Sequence, residues 1–132
     1  MPPIVINPAA LHDPVPYGYS HLVDTGAAGL IVVAGQYAAD ADGRLLSTDF
    51  DTQVERSFDN LGTALAAVGL GFGDVVRLGT YIVGHDAARL AGLCAVVDRI
   101  WGDRPPAQTL LGVAGLALPG MLFEVDALAV RG

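Results

Sequence analysis

The chain has 132 residues with seven arginines, no lysine and a formal net charge of -7. That length suits one domain, expected to span residues 1–132, with enough interior for a real core. The acidic balance excludes a sequence-independent hold on phosphate backbones or anionic lipid, so neither nucleic acid nor a membrane surface is an expected partner.

Charged residues make up only 16% and hydrophobic ones 52%. Ordinary soluble domains carry about 25% charged residues. So little polar surface predicts that some faces are buried against other copies of the chain. Cys94 is the only cysteine, which precludes an intrachain disulfide and fits a reducing, cytoplasmic compartment. The first seven residues lack a basic region and a long apolar run, so no secretory signal is expected there.

Ile4-Val5-Ile6 forms a short apolar strand stopped by Asn7-Pro8, and Pro14 and Pro16 keep the following stretch irregular. Tyr19 to Asp24 alternates as a strand does, and Gly29 to Gln36 is a buried strand through Leu30, Ile31, Val32 and Val33. Asp40-Ala41-Asp42-Gly43 is a turn. Thr48 or Asp49 caps a helix reaching about Val68, in which Val54, Phe58, Leu61, Leu65 and Val68 make one apolar stripe. The glycines from Gly69 to Gly73 stop it. They follow a helix and precede a strand, the wrong order for a dinucleotide fingerprint, and no Lys-Ser or Lys-Thr follows. Asp74 to Val83 is a strand. Asp86 caps a second helix with Leu90, Leu93, Val97, Ile100 and Trp101 on one face, and Gly102 ends it. Gln108 to Ala114 and Leu122 to Val130 are the closing strands. Pro105 to Phe123 carries no formal charge and is long enough to span a bilayer. Pro105, Pro106, Pro119 and Gln108 argue instead for two strands around a turn.

The order β-β-β-α-β-α-β-β predicts an α+β fold, with both helices packed on one face of the sheet. Val32, Val33, Leu110, Leu111, Leu128 and Val130 make the second face apolar as well. No third helix exists to cover it, so self-association is expected.

His12, His21 and His85 show no metal-ligand spacing with one another or with Cys94, and no metal is expected. His21 lies two residues after Tyr19, so on an extended segment the two side chains point the same way. Cys94 falls beside the apolar stripe of the second helix, as a small core residue would, with no evident neighbour to stabilise a thiolate. Glu124 sits between Phe123 and Val125 in an apolar strand. Either it faces solvent at a strand edge, or it is buried. Burial would raise its pKa toward values useful to a general base. Period two places Asp126 on the same face.

The ordered set Tyr19-Ser20-His21, Val33-Ala34-Gly35-Gln36, Gln53 to Leu61, Gly69 to Val76, Pro106-Ala107 and Phe123-Glu124-Val125-Asp126-Ala127 resembles the RidA (YjgF-like) family over nearly the whole chain. The resemblance implies a chorismate-mutase-like domain with a mixed β-sheet, forming a homotrimer whose sheets line the centre and whose pockets lie between subunits. It implies hydrolysis of small enamines and imines to a keto acid and ammonia, with no cofactor. By the same resemblance, Glu124 would position the attacking water and Tyr19 would line the pocket as a catalytic group. Gly35 and Leu110 would line the substrate site, as would Cys94, at a position that often holds asparagine; His21 is a candidate lining residue through its shared direction with Tyr19, not through the resemblance.

Three departures matter, Cys94 being one of them. Ala34 stands where a small hydroxyl residue is common. Gln108 stands where the family has the arginine that clamps the substrate carboxylate. Exchanging charge-assisted bonds for neutral ones costs of order 1–2 kcal/mol, about 5- to 30-fold in affinity. A neutral or amide-bearing ligand therefore suits Gln108 better. Arg44, Arg77 and Arg104 are the arginines that could reach in from a neighbouring subunit. Three functions follow: a deaminase-like hydrolase with altered specificity, a non-catalytic trimer that binds a small metabolite, and an endoribonuclease, which the acidic charge disfavours.

Overall fold

In the computed structural model, which describes residues 4–17, 20–26 and 29–132, the elements are β1 (Ile4–Ile6), β2 (Leu22–Asp24), β3 (Leu30–Gln36), α1 (Phe50–Ala66), β4 (Val75–Val83), α2 (Ala87–Trp101), β5 (Ala107–Val113) and β6 (Phe123–Val130). The expected order holds, with ends moved by a few residues. Asp49, not Thr48, caps α1: its carboxylate accepts from the Thr52 N–H at 2.9 Å. Asp86 caps α2 through the Arg89 N–H at 2.8 Å.

The strands form one sheet in the order β1-β2-β3-β6-β4-β5. Neighbours are antiparallel except β4 and β5, which run parallel and are joined across α2. The sheet is therefore mixed, and both helices cover one face. Val54, Phe58, Leu61 and Leu65 of α1, with Leu93 and Val96 of α2, pack on Ile31, Val33, Leu78, Ile82, Phe123 and Val125. Phe58 stacks on Phe123 with ring centres 5.9 Å apart and meets Trp101 edge-on at 6.0 Å. The Trp101 indole N–H donates to the Phe72 carbonyl at 2.8 Å, so its polar edge is satisfied within the core.

The other face is open, but its membership differs from the sequence expectation. Val33 is buried under the helices and Leu110 packs against the same core. Val32, Leu111 and Val130 are exposed on the open face, with Leu128 beside them. Successive strand residues alternate in direction, so an apolar run is divided between two faces.

Helix α1 also carries buried polar groups. Gln53 donates to the carbonyls of Ser47 and Gly120, each at 2.9 Å, and accepts from the Leu122 N–H at 2.8 Å. Asn60 donates to the carbonyls of Tyr37 and Ala39. These amides tie two loops to the helix and satisfy backbone groups that would otherwise be buried unpaired. Gln53→Leu keeps the volume but strands three backbone partners; chemical denaturation is expected to show a loss of roughly 2–4 kcal/mol.

Candidate functional site

The pairing of β3 with β6 slips once. Val33 faces Ala127 and Gln36 faces Val125, so Ala34 and Gly35 together stand opposite the single residue Asp126. This bulge turns both residues toward a cavity of about 680 Å³. Tyr37, Asp42, Gly43 and Arg44 form a second wall, Ala117 and Leu118 a third, and Glu124 reaches in from β6.

Glu124 lies on the open face, opposite Tyr81 in register. Its carboxyl packs against the strand at Gly35: a Cβ there would fall 2.6 Å from Oε2 and 2.7 Å from the carboxyl carbon. Only glycine permits that approach. Burial raises the Glu124 pKa above the ordinary glutamate value, and the nearby Asp126 adds to the effect. Asp126 itself accepts from the Tyr81 hydroxyl at 2.8 Å and lies 4.0 Å from an Arg77 nitrogen. Tyr81 is held above the usual phenol value first by that hydrogen bond and then by burial.

The walls are fixed by local bonding. One Asp40 carboxylate oxygen accepts from the N–H groups of Asp42 and Arg44, at 2.8 and 2.9 Å. The Tyr37 hydroxyl donates to the Gly43 carbonyl. Gly43 has φ +80, and a Cβ on it would meet the His12 ring at 3.2 Å, so both the turn and the packing call for glycine. Behind this wall His21 is fully buried. Its Nδ1 accepts from the Gln36 amide at 3.0 Å, which leaves Nε2 to donate to the His12 carbonyl at 2.9 Å. The His21 carbonyl also accepts from the Ala34 N–H at 2.8 Å.

Within one chain the structure brings together Glu124 and Gly35 and places Gln108, Leu110, Cys94 and His21 elsewhere. Gln108, Leu110 and Cys94 line a second groove of about 370 Å³ between α2 and β5. It lies on the helix side of the sheet, because Gln108 is level with Leu78 and Leu110 with Thr80. The Gln108 carboxamide oxygen accepts from the Thr80 hydroxyl at 3.0 Å. Cys94 is exposed rather than part of the core: α2 buries Leu93 and Val96 and turns Leu90 and Cys94 outward. His21 lines neither hollow. Tyr19 lies outside the described residues. Sequence reasoning missed Tyr37 and Tyr81, and anticipated Arg44 only as a group reaching in from a neighbouring subunit, whereas it lines the cavity of its own chain. Among the described residues no three His, Cys, Asp or Glu side chains group as a metal site requires, and no helix is long and apolar enough to cross a membrane.

The endoribonuclease L-PSP family model matches residues 11–131. Protein DfrA of Myxococcus xanthus is 35% identical over 114 residues, covering 85% of this chain and 84% of that protein. The RutC family protein YjgH of Escherichia coli is 32% identical over 112 residues, covering 84% and 81%. Among solved structures, a protein of the conserved Rid family from Yersinia pestis, YyfB, is 38% identical with a TM-score of 0.74, covering 99% of this chain and all of that one.

Two outcomes follow from this geometry. Burial, reinforced by His21, holds His12 below the ordinary imidazole value, while Asp13 and Asp40 act the other way. Burial also lowers His21, against its bond to the His12 carbonyl. Folded values below the unfolded value of about 6.5 mean that the unfolded chain binds more protons as pH falls through that point. The contribution is complete above about pH 7 and is lost on acidification below 6.5. Glu124, with its raised value, has the opposite sign. The denaturation midpoint should therefore fall from pH 7 to 5.5 in the native protein and fall less steeply in His21→Gln. Gly35→Ala should push the Glu124 carboxyl off the strand; carboxyl-carbon NMR titration is expected to show its pKa moving down toward the ordinary value.

Proposed function

The chain belongs to the endoribonuclease L-PSP (YjgF/RidA) family, and from that membership we propose that it hydrolyses small reactive imines, enamines or related carbonyl compounds in a pocket completed between subunits. The observation that carries this is the Glu124 carboxyl: half-buried in a cavity against Gly35, raised in pKa by that burial, and accepting no hydrogen bond from a described residue. Such a group is suited to accept a proton from a water molecule. As the water oxygen bonds to the C=N carbon, the π pair moves to nitrogen and Glu124 takes the water proton. Returning that proton to nitrogen gives a neutral amino-alcohol; Glu124 then takes the hydroxyl proton and passes it to the amine as the C–N bond breaks, forming C=O and releasing ammonia. An enamine enters after tautomerising to the imine.

The open face supports assembly. Val32, Leu111 and Val130 are 38%, 50% and 41% exposed in a single chain, and a homotrimer with its sheets at the centre would bury them. Within one chain, Gln108 and Glu124 lie on opposite faces of the sheet. A neighbouring copy offering its Gln108, Leu110 and Cys94 groove would complete the Glu124 cavity, and Tyr19 would join it as the family pattern implies. The binding-only alternative draws on the bond between Gln108 and Thr80, which places an uncharged, already engaged amide where the family carries a cation.

Glu124→Gln and Glu124→Ala should slow ammonia release from imines generated in solution by about 100-fold or more, with an unchanged sedimentation profile. Undiminished turnover in either variant overturns the hydrolase assignment. A native protein that binds ligand saturably yet releases ammonia no faster than buffer is the binding module instead.

A further inference from the structure

We propose that Arg44 is the cation that anchors the substrate in the Glu124 cavity, and that the substrate is a small imine or enamine bearing a carboxylate. The inference rests on taking this cavity as the active site, and it replaces the neutral ligand expected from Gln108 alone.

Among the described residues, Arg44 is the only arginine on the walls of either hollow. Four of the other six arginines are engaged elsewhere, and Arg56 and Arg104 lie off both hollows. Arg99 pairs with Glu55 and Arg131 with Asp24; Arg77 lies beside Asp126. Arg89 donates to the carbonyls of Val83 and Gly84. The Arg44 guanidinium makes no ion pair with any described residue.

Its backbone, by contrast, is held. The N–H donates to Asp40, the carbonyl accepts from the Asp40 N–H at 2.8 Å, and the neighbouring Ala39 and Leu45 form a bridge. A fixed base with a free head is the arrangement a ligand clamp needs, since binding then orders only the side chain. Arg44 is not among the charges that shift Glu124; burial and Asp126 are. The two groups are therefore not paired with each other across the cavity. A bound imino acid can present its carboxylate to the Arg44 fork, bidentately, and its C=N carbon to a water on Glu124. Asp42 on the same wall disfavours ligands with a more extended negative charge.

The test uses pyruvate and its neutral counterpart pyruvamide as probes, titrated into the intact protein and followed by NMR. Native protein should bind pyruvate more tightly than pyruvamide. Arg44→Gln should weaken pyruvate about 5- to 30-fold, leave pyruvamide unchanged and retain the native fold, because the side chain is exposed. Arg44→Lys should keep part of the preference. Arg56→Gln, an equal change of charge on the exposed surface of α1, should alter neither. Equal pyruvate affinity in native and Arg44→Gln protein, or no pyruvate binding by the native protein, overturns the assignment. Arg44-dependent binding without imine turnover upholds the anchor and sinks the hydrolase. Glu124-dependent turnover of a carboxylate-bearing imine that ignores Arg44→Gln does the reverse.

Discussion

The close approach of the Glu124 carboxyl to the backbone at Gly35 is the constraint on which the site depends. It requires a residue without a Cβ at position 35, and it requires β3 to carry one extra residue there. A regular ladder would leave no hollow beside β6. The bulge opens the hollow, but a bulge also leaves backbone groups unpaired and free to shift. Here the Ala34 N–H donates to the His21 carbonyl, and the Gln36 amide bonds both the Ala34 carbonyl and the His21 ring. His21 therefore acts by holding the distorted strand. Its burial as a neutral ring follows from that position: both nitrogens are occupied, one accepting and one donating, which an added proton would disrupt.

The same economy explains the polar residues in α1. Its apolar stripe fixes the helix on the sheet, yet Gln53 and Asn60 are buried beside that stripe. Each amide holds loop backbone that leads into a wall of the cavity, Asn60 at Tyr37 and Ala39, Gln53 at Gly120 and Leu122. No buried side-chain polar atom among the described residues lacks a partner. Buried amides so fully engaged contribute to the site by immobilising its frame, without touching a ligand. The ion pair between Arg99 and Glu55 links the two helices but is solvent-exposed, where such pairs contribute little.

Local signals in the sequence were sufficient for the elements. Stripes at helical spacing, Asp caps and glycine stops located both helices, and short apolar runs bounded by turn residues located most of the strands. Glu124 was legible because a carboxylate amid Phe123 and Val125 is costly wherever it lands. Three features were not legible, for one shared reason. Which way a side chain points depends on how its element docks, and docking is set by partners distant in the chain. Val33 and Leu110 were placed on the open face because apolar runs do not reveal parity. Cys94 is outside because α2 turns Leu93 and Val96 into the core. Arg44 follows an evident turn, but nothing local says that the turn folds back over β6.

Parity also decides what Gln108 can do. Its side chain shares a face with Thr80, and Glu124 projects from the other side of the same sheet. No rotation of either side chain brings them together, since a sheet separates them. A change at position 108 can alter the Glu124 pocket only through a neighbouring subunit, whereas Arg44 shares that pocket's wall within one chain. The charge of the cavity is thereby uncoupled from the edge strand. If assembly supplies shape at this pocket and the turn after β3 supplies charge, the family scaffold can move its cation without rebuilding either helix.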